Sequence, residues 1–246
     1  MAWRALVTVE GSRLAAIRWL SCRMVSAVIV AAGSGIRMGA DKLFLEVAGL
    51  PVVGHTWRRF DAHPEIDEVV VVIRESAHAE FEALGKQLAL SKPHCFVEGG
   101  MERQHSVNNG LSAVNSNCEW VAIQDGARPC TTNEAITATL AAARKGGAAV
   151  VASKVTDTLK DSGGTGHIIR NVERTHLWAV QTPQVFALKI IRNAMLAVSA
   201  QDAAITDDTA ACELIDQAVA LVDGGAPNPK VTTAADLPLV ELLLRQ

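Results

Sequence analysis

Glycines and two basic side chains are concentrated in residues Ala31–Lys42, AAGSGIRMGADK, directly after a short apolar run that predicts a buried strand. Gly33 and Gly35 would let main-chain N–H groups approach an anion without a side chain in the way. Arg37 and Lys42 add two cations beside that turn. The segment therefore predicts a site for phosphate groups, and the two cations indicate phosphates that react.

Other phosphate-binding loops fit this segment poorly. The string G-x-x-x-x-G-K-[ST] of a P-loop does not occur, and Met38 stands where a dinucleotide-binding fingerprint needs its third glycine. That fingerprint also needs an acidic residue about 20 positions later, whereas the next strand-like run, Val69–Ile73, ends much later. A plain turn between strand and helix would explain the glycines but not Arg37 and Lys42.

Two further segments with glycine and polar residues follow strand-like runs. They are Glu98-Gly99-Gly100 and Gln124-Asp125-Gly126. Ligands of an open α/β sheet bind beyond the carboxyl ends of its strands. We therefore expect both segments to share one site with the first glycine turn.

The elements that must position these residues alternate between strand-like and helix-like patterns. This alternation predicts an α/β fold with a doubly wound, mainly parallel, Rossmann-like sheet. The predicted strands are 27–31, 69–73, 95–97, 120–123, 148–152 and 219–222. The predicted helices are 52–60, 77–90, 104–114, 132–145, 189–199, 207–214 and one that begins near residue 233.

Residues 155–177 interrupt this alternation. The segment is polar, and Gly163, Gly164 and Gly166 form a turn between two short β-type runs. It predicts a protruding β-hairpin. Because an isolated two-stranded hairpin is barely stable in water, we expect this arm to pack against a partner chain.

Composition limits the class of protein. The chain has 246 residues, of which 49% are hydrophobic, enough for one large domain. Its net charge of −3 gives no general attraction to nucleic acid or acidic membranes, and no stretch of about 18 apolar residues predicts a membrane span. The five scattered cysteines favour a reducing cytoplasm, and the seven histidines lack zinc-ligand spacing.

Residues 1–23 differ from the rest of the chain, with four arginines against the single acidic residue Glu10. An arginine-rich leader can direct a protein to an organelle. We favour the alternative that Met24 is the true start, so that residues 24–246 form a single domain and the protein is cytoplasmic.

Eight strings occur in a characteristic order: AAGSGIRMGADK, GGMERQHSV, DGARP, VTDTLK, NVERTHLW, QTPQVF, ITDD and NPKVTTAADL. Together they make the chain, from about Met24 to its C-terminus, resemble the 2-C-methyl-D-erythritol 4-phosphate cytidylyltransferases of the non-mevalonate isoprenoid pathway. The first string is common among nucleotidyltransferases, whereas DGARP with the later TPQ and K-V-T strings is more specific. The resemblance implies transfer of CMP from CTP to 2-C-methyl-D-erythritol 4-phosphate, giving 4-diphosphocytidyl-2-C-methyl-D-erythritol and pyrophosphate.

Such a reaction poses an electrostatic problem, because a phosphomonoester must approach a triphosphate. Each pair of like charges at about 4 Å costs about 4 kcal/mol at an effective dielectric constant near 20. Cations and Mg²⁺ must offset that repulsion. The resemblance implies that Mg²⁺ binds mainly through the CTP phosphates, near Asp125, with no certain protein ligand. It also implies a homodimer joined through the 155–177 arm.

The resemblance implies three groups of site residues. The catalytic cations are Arg37, Lys42 and Lys230. The nucleotide-binding residues are Ala31, Ala32, Gly33, Gly35, Gly100, Ser106, Asp125 and Gly126. The residues that bind the polyol phosphate are Asp125, Arg128, Thr158, Arg174, Thr182 and Lys230, and Arg174 is expected to reach the other subunit. Met101 stands where many relatives carry Asp.

Three alternatives remain open on the sequence. A cytidylyltransferase for a pentitol phosphate such as ribitol 5-phosphate would share the CTP half of the site. A purine nucleotidyltransferase of the molybdenum-cofactor type should lack DGARP and TPQ. A catalytically silent nucleotide-binding module would not need the basic residues Arg37, Lys42 and Lys230 together with Asp125.

Overall fold

The computed structural model describes residues 24–33 and 41–246. The strands of these residues are β1 (Met24–Val30), β2 (Glu46–Val47), β3 (Leu50–Pro51), β4 (Glu68–Ile73), β5 (His94–Glu98), β6 (Cys118–Asp125), β7 (Ala148–Lys154), β8 (Leu159–Asp161), β9 (Arg170–Val172), β10 (Trp178–Ala187) and β11 (Ala220–Asp223). The α-helices are α1 (Val52–Ala62), α2 (His78–Leu88), α3 (Arg103–Ala113), α4 (Asn133–Gly146), α5 (Leu188–Gln201), α6 (Asp208–Glu213) and α7 (Leu237–Leu244). The prediction for residues 1–23 concerns a segment outside the described residues. The predicted site residues Gly35 and Arg37 also lie outside them.

Seven strands form the central sheet in the order β11-β7-β10-β6-β1-β4-β5. All neighbouring strands are parallel except β10, which runs antiparallel to both β6 and β7. The predicted α/β, mainly parallel sheet is therefore confirmed. The chain continues from β1 outward to β4 and β5 and then returns to β6 on the other side of β1. The gap between β1 and β6 is thus the point where the strand order reverses, and ligands of such sheets bind there.

Helices cover both faces of the sheet. Alternate residues of a strand point to opposite faces, so neighbouring residues of one strand pack against different helices. Ala27 and Ile29 of β1 pack in the apolar cluster that contains α1, α2, α4 and α7, whereas Val28 packs in the cluster of α3, α5 and α6. The apolar runs of β1 and β4 are buried on both faces, as expected for a parallel sheet. No helix among the described residues is long and apolar enough to cross a lipid bilayer.

Strand β10 is the one central strand that the apolar pattern did not predict. The sequence Gln181-Thr182-Pro183-Gln184 lies in its middle and interrupts the apolar run. The pairing with β7 shifts register between Val180 and Gln184, so the proline falls at an irregularity where no ladder hydrogen bond is required of it. This strand carries Thr182 to the carboxyl end of β6.

The segment 155–177 leaves the central sheet and forms its own two-stranded sheet, in which Leu159 of β8 faces Val172 of β9. The N–H of Val155 donates to the carbonyl of Leu177 at 3.1 Å and closes its base. Three glycines, Gly163, Gly164 and Gly166, have positive φ in the connecting loop, a conformation that favours glycine. The expectation that this arm joins two subunits stays a prediction.

Candidate active site

A cavity of about 420 Å³ lies at the carboxyl ends of β1 and β6, where the strand order reverses. It is lined by residues from each segment that the sequence placed at strand ends. The lining residues that the sequence predicted are Ala31, Ala32, Gly33, Lys42, Gly100, Ser106, Asp125, Gly126 and Lys230. One cavity therefore brings together residues separated by almost the whole domain.

The main chain of the cavity floor is tied to the sheet. The N–H of Ala31 donates to the carbonyl of Val72 at 2.8 Å, and the N–H of Gly126 donates to the carbonyl of Val30 at 2.9 Å. A Cβ on Gly99 would lie 2.2 Å from the Cβ of Ala32, so only glycine lets the segment after β5 approach this closely. The turn after β1 and the turn after β5 are therefore held against each other.

Ser106 lies in the first turn of α3 and is almost completely buried. Its hydroxyl donates to the carbonyl of Glu102 at 3.2 Å and accepts the N–H of Gly100 at 3.1 Å. These bonds fix the conformation of the Gly99-Gly100 segment. The hydroxyl for which the resemblance implies nucleotide binding thus holds the loop that lines the cavity.

Asp125, the last residue of β6, is the centre of charge in the cavity. Its Oδ2 lies 2.8 Å from Nζ of Lys230 and 3.5 Å from Nε of Arg128, and its Oδ1 lies 3.5 Å from Nε of Arg103. Three basic side chains from three parts of the chain therefore surround one buried carboxylate. Burial alone would raise the pKa of Asp125, but Lys230, Arg103 and Arg128 outweigh that effect and hold the pKa below its usual value.

Arg103 is a site residue that sequence reasoning did not identify. Both of its terminal nitrogens donate to the carboxylate of Asp208, each at 2.8 Å, and Asp208 is completely buried. Burial would lower the pKa of Arg103, but Asp208 and Asp125 raise it above its usual value, so the guanidinium stays charged. A basic residue at the first position of α3 is unfavourable next to the positive end of the helix, and this signal in the sequence could have indicated a carboxylate partner.

The loop before α7 brings Lys230 to the cavity. The N–H of Val231 donates to the carbonyl of Ala127 at 2.8 Å. Arg128 donates from Nη1 to the carbonyl of Asn228 at 2.7 Å, and Nδ2 of Asn228 donates to the carbonyl of Thr182 at 3.0 Å. This network fixes the loop and positions the ammonium group of Lys230 beside Asp125.

The polyol-binding residues predicted from the resemblance lie in two places. Thr182 is buried behind Asp125 and accepts the main-chain N–H of Asp125 at 3.1 Å, and Arg128 lies beside the same carboxylate. Thr158 and Arg174 are exposed on the arm, where Arg174 donates to the carbonyl of Thr156. Neither arm residue lines the cavity of its own chain.

The side chains available to a metal ion are few. Among the described residues no group of three or more His, Cys, Asp or Glu side chains is arranged to hold one. Asp125 and the exposed Glu102 are the carboxylates that line the cavity. This donor set fits Mg²⁺, which is commonly bound by one or two carboxylates together with substrate phosphates and water. It does not fit a metal held by protein ligands alone.

Comparison with known proteins shows similarity to one enzyme family. The sequence profile of the 2-C-methyl-D-erythritol 4-phosphate cytidylyltransferase family matches residues 25–246. A protein of that name from Pelotomaculum thermopropionicum is 41% identical over 224 residues, covering 90% of this chain and 94% of its own length. Another from Caldanaerobacter subterraneus subsp. tengcongensis is 41% identical over 226 residues, covering 90% of this chain and 99% of its own length.

Solved structures are similar to this chain over about nine tenths of its length. The 4-diphosphocytidyl-2C-methyl-D-erythritol synthase of Anaerococcus prevotii superposes with a TM-score of 0.82 at 30% identity, covering 92% of this chain and 97% of its own. The 2-C-methyl-D-erythritol 4-phosphate cytidylyltransferase of Thermus thermophilus superposes with a TM-score of 0.75 at 32% identity, covering 91% of this chain and 100% of its own. The likeness therefore extends to the fold as well as the sequence.

Proposed function

The chain belongs to the 2-C-methyl-D-erythritol 4-phosphate cytidylyltransferase family, and from this premise we propose that its reaction takes place in the cavity beside Asp125. The enzyme transfers CMP from CTP to 2-C-methyl-D-erythritol 4-phosphate and releases pyrophosphate, in the non-mevalonate route to isoprenoids. The pentitol phosphate alternative is not favoured, because the relatives carry the methylerythritol name.

The observation that carries this assignment is the set of basic side chains around Asp125. Lys42 and Lys230 line the cavity, and we assign them, with Arg37, to the triphosphate and the charge that develops at the reacting phosphorus. The main chain at Ala31–Gly33, together with Gly100, frames the cytidine. The substrate phosphate oxygen attacks the α-phosphorus directly, so the site needs no covalent nucleophile.

Mg²⁺ is the proposed cofactor, held mainly by the CTP phosphates and water near Asp125. When bound, it neutralises charge on the phosphate oxygens. The protein holds Asp125 in place beside this site. The main-chain N–H of Asp125 donates to the hydroxyl of Thr182, and three basic side chains surround the carboxylate. Arg128 and Thr182 keep the carboxylate and the Lys230 loop in one arrangement while the polyol phosphate enters.

A homodimer joined through the 155–177 arm is part of the proposal. Ile168 and Ile169 on the arm are 70% and 62% exposed, and two short strands alone bury little apolar surface. A partner subunit would cover these side chains. Arg174 of one subunit then reaches the substrate phosphate in the other subunit, in keeping with its position outside the cavity of its own chain.

We propose residues 24–246 as a single domain that acts in the cytoplasm. Cys95, Cys118, Cys130 and Cys212 are all free thiols, as expected in a reducing compartment. Their scattered positions in the fold give no sign of a disulfide framework.

The direct test measures pyrophosphate release with each of the four ribonucleoside triphosphates. Each is assayed against 2-C-methyl-D-erythritol 4-phosphate and, separately, ribitol 5-phosphate, with and without Mg²⁺. We expect turnover with CTP, methylerythritol phosphate and Mg²⁺ to exceed every other combination. Equal or faster turnover with ribitol 5-phosphate would overturn the assigned substrate.

A further inference from the structure

A second cavity, of about 350 Å³, lies away from the active site between α1, the β2–β3 turn and the start of α4. Its polar lining consists of His55, Arg58 and Arg59 from α1 and Asn133 from α4, with Pro129 beside them. Its size is within the range of small-molecule sites. The proposed reaction leaves this cavity without a role.

The second cavity is strongly basic. Arg58 and Arg59 form no ion pair with any of the described residues, and no lining residue carries a carboxylate. Asn133 is the first residue of α4, a 14-residue helix, so the positive end of that helix also borders the cavity. Two guanidinium groups and the start of α4 therefore border one partly open cavity.

His55 forms a neutral, fixed part of the wall. Its Nε2 lies 2.7 Å from the carbonyl oxygen of Val47, which holds α1 against β2. Burial lowers the pKa of His55, and the neighbouring Arg58 and Arg59 lower it further, against the opposing effect of the Val47 carbonyl. The positive charge of the cavity therefore comes from the arginines.

We propose that this cavity is a second anion site, which takes the phosphate or diphosphate group of a small molecule. Guanidinium groups bind phosphate oxygens in pairs of parallel hydrogen bonds, and a helix N-terminus adds main-chain donors. A concave, partly enclosed shape suits a small ligand better than a flat protein surface does. The role is independent of the cytidylyl transfer assigned to the cavity at Asp125.

The second anion site adjoins the segment that carries the active-site residues. The hydroxyl of Thr56, between His55 and the arginines on α1, donates to the carbonyl of Gly126 at 3.0 Å. Pro129, which lines the second site, directly follows Arg128. The segment 125–129 therefore contributes to both cavities, with Asp125, Gly126 and Ala127 at the first and Pro129 at the second.

The test is thermal unfolding of the full chain with inorganic phosphate or methylenediphosphonate, at constant ionic strength. Both anions could also bind the active site, so Lys42→Ala is included to weaken that contribution. We compare the double variant Arg58→Ala/Arg59→Ala with a control of equal charge, Lys145→Ala/Lys189→Ala, whose lysines lie outside both cavities. Ligands that bind the folded state raise its melting temperature.

We expect the rise in Tm to persist in Lys42→Ala and in the charge control, and the apparent Kd to weaken at least tenfold in Arg58→Ala/Arg59→Ala. If the alanine variant does not fold, Arg58→Gln/Arg59→Gln is assayed by ³¹P line broadening with the same expectation. Loss of the rise in Lys42→Ala alone, or equal rises in the double variant and its control, would overturn the second site. Binding of a polyglutamate peptide through Arg58 and Arg59 without phosphate binding would also contradict it.

Discussion

The ammonium nitrogen of Lys230 lies 2.8 Å from Oδ2 of Asp125, although one residue ends β6 and the other lies in the loop before α7. Arg103 and Arg128 approach the same carboxylate at 3.5 Å. A buried carboxylate surrounded by cations organises them in advance, so that little rearrangement is needed when substrate phosphates arrive. A substitution at Asp125 should therefore change the positions of Lys230, Arg103 and Arg128 together.

Replacement of Asp125 by Asn should remove the charge that positions these cations while keeping the size of the side chain. We expect kcat/KM to fall by roughly 10–100-fold, which corresponds to about 1.4–2.7 kcal/mol of transition-state stabilisation. Initial rates of pyrophosphate release measure this effect. Asp202→Asn, at an exposed site after α5, is the matched control and should retain full activity.

Lys42→Ala should lower kcat by roughly 10²–10³ with little change in the affinity for CTP, because the lysine is assigned to charge that develops in the transition state. Steady-state rates give kcat, and equilibrium titration with CTP gives the affinity. Lys86→Ala on α2 changes the same residue type outside the active-site cavity. Unaltered turnover in Lys42→Ala would remove this lysine from the mechanism.

Arg103→Met should destabilise the fold as well as the site, because it leaves Asp208 buried without its bidentate partner. Breaking a buried ion pair costs a few kcal/mol, and since Arg103 is partly exposed we expect a loss of about 2–4 kcal/mol of unfolding free energy. Urea denaturation measures it. The control is Arg245→Met, which breaks the exposed pair with Glu241 and should cost about 1 kcal/mol or less. Equal losses in the two variants would contradict a structural role for the Arg103–Asp208 pair.

The sequence predicted the order of elements well because apolar runs and helical periodicity are local signals. Every strand of the central sheet except β10 was predicted, with boundaries that differ from the observed ones by at most three residues. β10 escaped because Thr182-Pro183 interrupts its apolar pattern, and its place in the sheet depends on pairing with β6 and β7. Pairing between distant segments is a property of the fold and leaves no periodic signal in one segment.

The candidate site was partly predictable for the same reason. Gly33 and Asp125 were predicted to share one cavity because both follow strand-like runs and ligands bind beyond the ends of strands, and the structure places both in that cavity. Arg103 was not, because its importance comes from Asp208, which lies on α6 and far along the chain. The proposed second anion site was not predicted either, because Arg58, Arg59 and Asn133 come together only in the folded chain.

Arg174→Ala tests whether the arm completes the site of the partner subunit. Alone, the variant should show a raised KM for the polyol phosphate. Mixed and reassociated with Lys42→Ala, it should regain activity, because each mixed dimer has one site that contains both Lys42 and the partner's arginine. Random mixing makes about half of the dimers mixed, and one of the two sites in each mixed dimer is intact. About a quarter of all sites are then intact, so we expect about a quarter of full activity. If Arg174 served its own subunit, mixing would restore nothing.

The stability of the protein should fall as the pH drops below about 6.5, and His63 is one cause. Its side chain is only 1% exposed, its Nδ1 accepts the N–H of Glu65 at 3.2 Å, and its Nε2 lies 3.0 Å from the hydroxyl of Thr137. A ring nitrogen that accepts a hydrogen bond carries no proton, so these contacts require the neutral ring. Burial lowers the pKa of His63, with smaller contributions from Lys92 and Arg59, against the opposing effects of the Asn133 main chain and Glu65.

Because this pKa is lower in the folded chain than in the unfolded one, the unfolded chain binds more protons between the two values. The neutral ring therefore contributes stability that is complete above the unfolded pKa of about 6.5 and is lost as the pH falls toward the folded value. His63→Gln keeps a donor and an acceptor but cannot titrate. We expect urea denaturation between about pH 8 and about pH 5 to show a shallower decline for this variant than for the unaltered chain. An equal decline in His63→Gln and in the unaltered chain would exclude His63 as a cause.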